Sequence, residues 1–565
     1  MSPQFNVSSG PTPDPKSPRS AFKRPTIPAW VLNVAASIYI LAICNNTFWS
    51  RAATAFDGHL VRLLIFGLAF GTVTLFVVSL LGFRWLQKPV LVFMVILCAV
   101  TSYYQDQLGA TIDRDMIQNV MQTTFNEAHH LVTARFVLHV GVLGGLPALV
   151  ILWVKVRRRG ILRDVAAWGG MVAVSLMVLL AFLYSDFKSY SAVIRERKDI
   201  VESSQPLAPL RGMVRYAKLA MRNVNIVVAP LGRDAVKGAR IVAAKKPVLT
   251  VLFAGETARA MNFGVNGYER DTTPEVADPK REIQNFTHAE SCGTATAVSL
   301  PCMFSHLTQA EYSDTKAKSE ENLVDILGNA GVKVEWYDAN TGDQSIAKRV
   351  GWTQVTKEMD PASCEMGECT DGAFLTLLKD KLDTITEDTV LVFHMIGSHG
   401  PAYFMRYPES YRKFTPDCRT SEFAKCTDEE IRNAYDNSIA FTDHVLASTV
   451  DILNAAQDRV TPAMFYMSDH GESLGENGLY LHGAPRFMAP EQQYKVPLMM
   501  WFSQSYRDQM GLDQACVAAK GDAKLSQDNL FSTILGMMDV RTEVYDASLD
   551  ILSGCVPVQT AQTQP

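Results

Sequence analysis

The chain has 565 residues, which is too long for one compact core, so two or more domains are expected. Its net charge is −5 and its isoelectric point is near 6.2, so no global basic excess indicates nucleic-acid binding. The apolar content is uneven: residues 1–186 are strongly apolar, whereas residues 240–556 have the composition of a soluble mixed domain.

The chain begins with a segment rich in proline and serine, residues 1–27, which we predict to be a disordered cytoplasmic tail. Five apolar stretches follow, and each is near the roughly 17–25 residues that cross a bilayer. They span residues 28–48, 60–83, 89–104, 134–154 and 166–184. Five such runs in succession disfavour the alternative of buried soluble helices. We therefore predict a five-helix transmembrane domain over residues 28–186.

The charges of the loops predict how these spans are oriented. Basic residues are concentrated before the first span and in two short loops, as Lys16, Arg19, Lys23, Arg24, Arg84, Lys88, Lys155, Arg157, Arg158, Arg159 and Arg163. The loop 105–133 instead carries four acidic residues against Arg114. Positive loops stay cytoplasmic. The sequence therefore predicts a multi-pass inner-membrane protein whose C-terminal domain lies in the periplasm.

A segment of mixed polarity, residues 187–240, connects the last span to the C-terminal domain. Within it, "PLRGMVRYAKLAMRNV" mixes arginine and lysine with apolar residues, which favours a helix near 207–224. Such a helix could lie on the membrane surface or could pack as an ordinary amphipathic helix. The sequence leaves both interpretations open.

From residue 245 onward, four apolar runs alternate with helical patterns and end in small and polar residues. They span residues 247–256, 332–340, 389–400 and 462–472. This pattern is typical of buried parallel strands separated by helices, and ligands of such sheets lie beyond the carboxyl ends of the strands. The strand ends carry Glu256, Asn340, His399, Asp469 and His470. We predict a periplasmic α/β catalytic domain over 241–556 and a flexible tail over 557–565.

The cysteines agree with an oxidising compartment. Cys44 and Cys98 lie in predicted spans and are expected to be free, whereas eight others lie in the C-terminal half. An even number in close pairs favours disulfides. The predicted bridges are Cys292–Cys302, Cys364–Cys369 and Cys418–Cys426, with Cys516–Cys555 assigned by elimination. A metal site at Cys364 and Cys369 is the alternative, but no second pair of ligands lies nearby in sequence.

The strand ends combine carboxylates with an imidazole, a ligand set that suits Zn²⁺ or Mn²⁺. The stretch "SCGTATAVSLP" adds three hydroxyls, on Thr294, Thr296 and Ser299, before a helical pattern. A hydroxyl at a helix start can become a metal-activated nucleophile, and the N–H groups there can bind phosphate. On local sequence alone, the simpler interpretation that these residues only cap the helix is favoured. Local sequence does not choose among the three hydroxyls.

Four longer motifs make the prediction of function more specific. They are "FAGETARAMNFGVNGYERDTTP" (253–274), "SCGTATAVSLPCMFS" (291–305), "HGPAYFMRYP" (399–408) and "MSDHGESLGENGLYLHG" (467–483). Together they resemble, in the same order, the phosphoethanolamine transferases of Gram-negative inner membranes. This family modifies lipid A and includes the mobile colistin-resistance enzymes. The resemblance covers nearly the whole chain and implies an α/β/α domain of the alkaline phosphatase/sulfatase type after five spans.

The resemblance also implies roles for single residues. Thr294 matches the nucleophile that becomes modified with phosphoethanolamine, and the implied zinc ligands are Glu256, Thr294, Asp469 and His470. His399 and His482 match histidines that handle the phosphate group or a second metal ion. The implied cofactor is therefore one zinc ion, with a second as an additional possibility.

Further substrate contacts are implied in the membrane half and after the second predicted strand. Asn119, Thr123 and Glu127 are spaced i, i+4 and i+8, which predicts one helical face. The resemblance implies that this face contacts the lipid substrate; from spacing alone it could be a solvated face. The resemblance implies that Asn340 contacts the phosphate group of the substrate. The family has a lysine about four residues later, where this chain has Gln344; the nearest lysine is Lys348, and whether it replaces the family residue stays open.

The resulting hypothesis is a monomeric enzyme that transfers phosphoethanolamine from phosphatidylethanolamine to a lipid A phosphate through a modified threonine, giving resistance to polymyxin. A phosphoethanolamine or phosphoglycerol transferase acting on another periplasmic glycan or protein is the alternative. A sulfatase is disfavoured because the nucleophile loop lacks a Cys/Ser-x-Pro-x-Arg pattern. A non-catalytic membrane sensor is disfavoured because the chemical residues at the strand ends are intact.

Overall fold

The structure, a computed structural model, describes residues 24–56, 58–123, 125–185, 187–224, 226–364 and 367–557. Most of the two predicted tails lies outside these ranges. Thr26–Ile27, at the end of the predicted N-terminal tail, forms a short strand that pairs in parallel with Lys155–Val156. The disorder predicted up to residue 27 is therefore wrong at its last residues.

The N-terminal half is helical. In chain order, its helices are α1 (Ala29–Ile43), α2 (Asn46–Ala55), α3 (Leu60–Leu81), α4 (Gln87–Leu108), α5 (Arg114–Gln122), α6 (Phe125–Leu131), α7 (Ala134–His139), α8 (Leu146–Trp153), α9 (Ile161–Ser185), α10 (Phe187–Glu196), α11 (Lys198–Glu202) and α12 (Leu207–Asn223). A π-helical segment, Val140–Gly145, joins α7 to α8. Helices α10 to α12 fall in the segment predicted to bridge the two halves.

Four helices in the described ranges are long and apolar enough to cross a membrane: Leu60–Leu81, Arg84–Leu108, Ala134–Trp153 and Ile161–Ser185. The first predicted span is instead the pair α1 and α2, which is bent by 66°. The bend follows Asn45, whose side-chain amide donates to the Ile40 carbonyl at 2.9 Å and so ends α1. The described residues thus contain four spans, or five if the bent pair crosses as one.

The C-terminal half contains most of the strands. Including the short ones, they are β1 (Thr26–Ile27), β2 (Lys155–Val156), β3 (Val236–Lys237), β4 (Val248–Gly255), β5 (Gln284–Glu290), β6 (Lys333–Asp338), β7 (Trp352–Gln354), β8 (Thr389–His394), β9 (Thr461–Ser468), β10 (Ser473–Leu474), β11 (Tyr480–Leu481), β12 (Lys495–Phe502), β13 (Lys524–Ser526) and β14 (Val540–Arg541). The main sheet has the order β13-β5-β12-β9-β4-β8-β6-β7.

The helices of this half cover both faces of the main sheet. They are α13 (Ala239–Val242), α14 (Thr296–Met303), α15 (Asp314–Lys318), α16 (Leu323–Asn329), α17 (Ala373–Leu382), α18 (Asp428–Ala455), α19 (Gln504–Met510), α20 (Gln514–Ala518) and α21 (Asp528–Met537). The predicted α/β/α arrangement is confirmed for this half.

Strand β4 is buried at every position because helices cover both of its faces. Successive side chains of a strand point to opposite faces. Val248 and Leu252 accordingly belong to a core formed with α14, α16 and α21, whereas Leu249, Val251 and Phe253 belong to a second core formed with α17 and α18.

The register of the sheet brings the ends of the four predicted strands to one edge. Strands β9, β4, β8 and β6 are neighbours and run in parallel, as the sequence predicts. Ala254 of β4 lies opposite Met467 of β9 and His394 of β8, and His394 lies opposite Asp338 of β6. Residues that follow these positions therefore meet above one edge of the sheet.

The four predicted disulfides are all present: Cys292–Cys302, Cys364–Cys369, Cys418–Cys426 and Cys516–Cys555. The alternative of a metal site at Cys364 and Cys369 is therefore wrong. Cys44 and Cys98 are buried free thiols among the described residues.

Truncation of Val251 tests the packing of the second core. Val251→Ala removes two methyl groups from a fully buried position and should lower the free energy of unfolding by about 2 kcal/mol. Val242→Ala is the control because Val242 is 69% exposed, and it should change stability by less than about 0.5 kcal/mol. Denaturant unfolding of the purified protein measures both; equal effects would contradict the described packing.

Candidate active site

Three buried side chains form a cluster at the carboxyl ends of β4 and β9. Glu256 follows β4, and Asp469 and His470 follow β9; their potential ligand atoms all lie within 4.8 Å of one another. His470 Nε2 is 3.4 Å from Glu256 Oε1 and 3.3 Å from Asp469 Oδ2. All three side chains are fully buried. The sequence predicts that these three residues lie together, and they form a candidate metal centre.

The cluster has the properties of a ligand set. Burial raises the pKa of Asp469, since the carboxylate loses its hydration. Asp469 Oδ2 makes no hydrogen bond to any described residue. Burial also lowers the pKa of His470 to about 3, so its imidazole is neutral and can offer a lone pair. Two buried carboxylates beside a neutral imidazole form a site whose charge a bound cation would offset.

The backbone conformation directly after β4 orients the carboxylates of Glu256 and Asp469. Thr257 has φ of 56°, in the left-handed region that a β-branched residue rarely adopts. Its N–H donates to Asp469 Oδ1 at 3.2 Å and its hydroxyl donates to Glu256 Oε1. An unfavourable backbone conformation held by such bonds is common at functional sites.

The hydroxyl that reaches the cluster is that of Thr296. It donates to Glu256 Oε2 at 3.0 Å and lies 3.2 Å from His470 Nε2. Thr296 is the first residue of α14, so the N-terminus of this helix faces the cluster.

Thr294, which the resemblance assigns to the metal and the nucleophile, is placed differently. Its hydroxyl donates to the Ala484 carbonyl at 2.6 Å, and its own carbonyl accepts the N–H of Gly483 at 2.7 Å. Thr294 therefore binds the loop that carries His482, whereas Thr296 contacts the candidate ligands. The structure does not place Thr294 in the ligand set, because its hydroxyl is already engaged by that loop.

The loop before α14 is held at both ends. The Cys292–Cys302 bridge connects it to the last turn of the helix, and Ser299 Oγ accepts the N–H of Gly293 at 3.0 Å. Gln527 accepts the N–H of Cys292 at 2.7 Å and donates to the Asp469 carbonyl at 2.7 Å. Gln527 thus connects the loop before α14 to the residues that follow β9. No local sequence pattern indicates this contact.

Asn340 lies at the site as predicted. Its amide donates to Glu256 Oε2 at 2.6 Å, and its backbone N–H donates to Asp338 Oδ1 at 2.9 Å. Asp338 Oδ2 is 2.7 Å from His394 Nδ1, and both side chains are fully buried. Burial lowers the pKa of His394, but the Asp338 carboxylate outweighs it and the net pKa rises to about 9. The sequence did not indicate this pair, because Asp338 and His394 are the last residues of two strands that become neighbours only in the folded sheet.

His399 and His482 also lie beside the cluster. The ring of His482 is 4.4 Å from that of His470 and 5.4 Å from that of His399, centroid to centroid. His482 Nδ1 is 3.2 Å from Glu472 Oε2, and Glu472 is fully buried. The structure thus brings together both predicted histidines and adds Glu472 as the group that orients one of them.

A cleft of about 420 Å³ opens beside this cluster. Its lining includes Asn340, Lys357, Glu368, His399 and Arg406. Its cationic groups are those of Lys357 and Arg406.

Lys348, the nearest lysine to the family position, lies elsewhere. It is exposed and belongs to a separate cleft with Asn223 and Arg349. Among the described residues that line the cleft beside the metal cluster, Lys357 is present and Lys348 is not. The suggestion that Lys348 replaces the family lysine is therefore not supported by its position.

The predicted continuous face of Asn119, Thr123 and Glu127 is wrong. Helix α5 ends at Gln122, Thr123 has ψ of 133°, and α6 begins only at Phe125, so the three positions do not share one helix. The Thr123 hydroxyl donates to the Asn119 carbonyl at 2.8 Å. The side chain of Glu127 lies outside the described residues.

Helix α5 nevertheless lies next to the active site. Gln118 donates to the Ala297 carbonyl of α14 at 3.4 Å. The loop between the second and third long spans therefore contacts the helix that carries Thr296, which joins the membrane half to the site.

The fold and the cluster define a sulfatase-like catalytic domain attached to membrane helices. A family model described as Sulfatase matches residues 249–540, and one described as Phosphoethanolamine transferase EptA/EptB matches residues 70–221. The chain is 37% identical over 542 residues to phosphoethanolamine transferase EptA of Escherichia coli (strain K12), covering 94% of this chain and 98% of that protein.

Two further comparisons agree. Phosphatidylethanolamine transferase Mcr-1 of Escherichia coli is 33% identical over 543 residues, with coverage of 93% and 97%. The integral membrane lipooligosaccharide phosphoethanolamine transferase A of Neisseria meningitidis has a TM-score of 0.90 at 34% identity, with coverage of 94% and 99%. The chain belongs to the phosphoethanolamine transferase family. It is a multi-pass inner-membrane enzyme with its catalytic domain in the periplasm.

Metal analysis of an Asp469 variant tests the candidate metal centre. The purified protein should hold about one divalent metal ion per chain. Asp469→Asn should weaken metal retention at least a hundredfold. Loss of a residue that only orients a metal ligand already lowers metal affinity about 10–100-fold. Asp458→Asn, at an exposed position, is the matched control. Elemental analysis after dialysis measures both, and equal metal content in the two variants would contradict the assignment.

Proposed function

We propose that the enzyme transfers phosphoethanolamine from phosphatidylethanolamine to a phosphate group of lipid A, through a covalent intermediate on Thr296. The observation that carries this proposal is the position of the Thr296 hydroxyl, 3.0 Å from Glu256 Oε2 at the start of a helix. The family supplies the reaction class, and relatives named for Kdo(2)-lipid A support the acceptor.

The residues present fit a zinc ion. Glu256, Asp469 and His470 offer two carboxylates and one imidazole, and the Thr296 hydroxyl supplies a fourth donor. Four such donors match the tetrahedral preference of zinc. A relative of this family has been solved as a complex with zinc. When bound, the ion lowers the pKa of a coordinated hydroxyl and stabilises charge on phosphoryl oxygens.

Thr296 is the proposed nucleophile because its hydroxyl already lies between acceptor groups. Glu256 Oε2, 3.0 Å away, can accept its proton as the oxygen attacks the phosphorus of the donor lipid. The oxygen–phosphorus bond forms as the bond to the diacylglycerol oxygen breaks. The N–H groups at the start of α14 favour the anionic phosphoryl group there.

The leaving oxygen must take up a proton. His399 and His482 lie beside the cluster, and Glu472 holds His482 through Nδ1, so Nε2 is the ring nitrogen left to face the reaction. We propose that these two histidines bind the phosphoryl group and protonate the diacylglycerol oxygen. In the second half of the reaction a lipid A phosphate oxygen attacks the phosphorus, the bond between the phosphorus and Thr296 Oγ1 breaks, and that oxygen takes back its proton from the acceptor at Glu256.

The product carries an added ammonium group on the lipid surface. Each transfer reduces the negative charge of that surface and weakens its attraction for cationic peptides such as polymyxin. Resistance to polymyxin is therefore the proposed cellular consequence.

Helices α10 to α12 lie in the chain between the apolar helices and the main sheet. Along α12, Val214 is 55% exposed and Met221 76% exposed, and arginine and lysine residues lie between them. We propose that residues 187–240 form the bridge, that α12 lies on the membrane surface, and that residues 241–556 form the catalytic domain. This arrangement keeps the active site within reach of lipid head groups.

Substitution of the two neighbouring threonines tests the nucleophile. Thr296→Ala should lower transfer at least about a thousandfold, since it removes the attacking oxygen. Thr294→Ala should lower it only about fivefold, because that hydroxyl makes one hydrogen bond to the His482 loop. Mass spectrometry of lipid A from cells with matched expression measures both. The reverse order of effects would contradict the assignment.

A pair of lysine variants tests whether the donor lipid binds in the cleft beside the metal cluster. Lys357→Gln removes a cation from its lining and should raise the KM for the donor lipid about fivefold with little change in kcat. Lys348→Gln is the control because Lys348 lies outside this cleft, and its KM should stay within about twofold of the wild type. Steady-state kinetics with labelled phosphatidylethanolamine gives both values. A larger effect at Lys348 would contradict the proposed position of the substrate.

A further inference from the structure

A second cavity lies at the cytoplasmic end of the membrane half, on the opposite side of the membrane from the metal cluster. It has a volume of about 180 Å³ and opens between the ends of α1, α4 and α9 and the loop after α8. Its lining includes Trp30, Trp168 and four arginines, namely Arg84, Arg157, Arg158 and Arg159. The reaction described above does not use this cavity.

The chain fixes the arginines at this cavity through its backbone. Strand β1 pairs with β2, and the N–H of Arg157 donates to the Ile27 carbonyl at 2.8 Å, which holds the arginine-rich loop against the start of α1. Arg84 has φ of 42°, in the left-handed region that is uncommon for this residue type. Its carbonyl accepts a hydrogen bond from the Arg158 guanidinium at 2.6 Å.

The positive charge of the cavity is only partly offset. Asp164 is its one acidic lining residue within the described ranges, against four arginines. Asp164 Oδ2 lies 3.5 Å from Arg84 Nε, and Oδ1 accepts the N–H of Arg159 at 3.0 Å. The cavity therefore keeps a net positive charge that an anion would neutralise.

The floor of the cavity is polar although it lies between membrane helices. Gln87 is buried and donates to the Ala29 carbonyl and to Asn33 Oδ1, each at 2.8 Å. Gln87 Oε1 is also buried and accepts no hydrogen bond from the described part of the chain. Polar side chains at this depth are costly and mark sites of function. A ligand with a hydroxyl donor would satisfy this acceptor.

The surroundings favour a lipid over a soluble anion. Trp30 is 58% exposed and Trp85 is 77% exposed, as is common for indoles at the level of the head groups. Basic pockets between helices on the cytoplasmic side bind the head groups of anionic lipids. An ammonium-bearing head group would meet uncompensated arginines, whereas a phosphodiester with hydroxyl groups would match both the arginines and Gln87.

We propose that this cavity binds the head group of phosphatidylglycerol from the cytoplasmic leaflet. The phosphodiester contacts the arginines, and a glycerol hydroxyl donates to Gln87 Oε1. Bound in this way, the lipid connects the cytoplasmic ends of α1, α4 and α9. This inference does not rest on the proposed nucleophile or acceptor.

Native mass spectrometry of the full-length protein in detergent, titrated with phosphatidylglycerol, tests the proposal. Arg158→Gln/Arg159→Gln removes two lining charges and should weaken binding at least about tenfold. The control is Arg24→Gln/Arg163→Gln, which removes two charges from the same face at exposed positions outside the cavity lining. It should bind within about twofold of the wild type. Retention of metal at the distant active site shows that each variant is folded.

Three results would overturn the proposal. Equal weakening in the two double variants would mean that binding depends on surface charge alone. Equal affinity for phosphatidylethanolamine would exclude selection of an anionic head group. Displacement of the lipid by millimolar inorganic phosphate would identify a site for a free anion, whereas retention of the lipid in its presence supports the lipid assignment.

Discussion

The burial of two carboxylates at the ends of neighbouring strands is the constraint on which the active site depends. Glu256 and Asp469 are removed from water and lie within reach of one neutral imidazole, that of His470. Such an arrangement is costly unless a cation and hydrogen-bond donors offset the charge. The left-handed turn at Thr257 and the amide of Asn340 supply donors, and the open ligand positions favour a metal.

Near the cluster, three hydroxyls in the loop before α14 and in the first turn of that helix have three separate partners. The Thr296 hydroxyl contacts Glu256, that of Thr294 binds the His482 loop, and that of Ser299 accepts the N–H of Gly293. The Cys292–Cys302 bridge and Gln527 restrict how far this loop can move from the residues that follow β9. A nucleophile positioned by several supports loses less freedom when it reacts.

Much of this architecture could be predicted from the sequence. Runs of apolar residues predicted the spans and the four parallel strands. Close cysteine pairs predicted three bridges, and elimination predicted the fourth, Cys516–Cys555. Local spacing could not choose between Thr294 and Thr296, because the choice depends on which hydroxyl the distant Ala484 carbonyl engages. Helical spacing likewise failed at Thr123, where the helix breaks, and the Asp338–His394 pair joins two strands that become neighbours only in the folded sheet. The two failures at the active site concern contacts between segments far apart in sequence, whereas the failure at Thr123 is a local break in the helix.

Mapping of the covalent intermediate tests the central claim most directly. The wild-type protein is mixed with phosphatidylethanolamine without acceptor, quenched and digested, and the peptide from the Cys292–Cys302 loop is fragmented by tandem mass spectrometry. Fragments that separate Thr294 from Thr296 locate the modified oxygen. We predict that the phosphoethanolamine is attached to Thr296. Modification of Thr294, or transfer without any modified threonine, would contradict it.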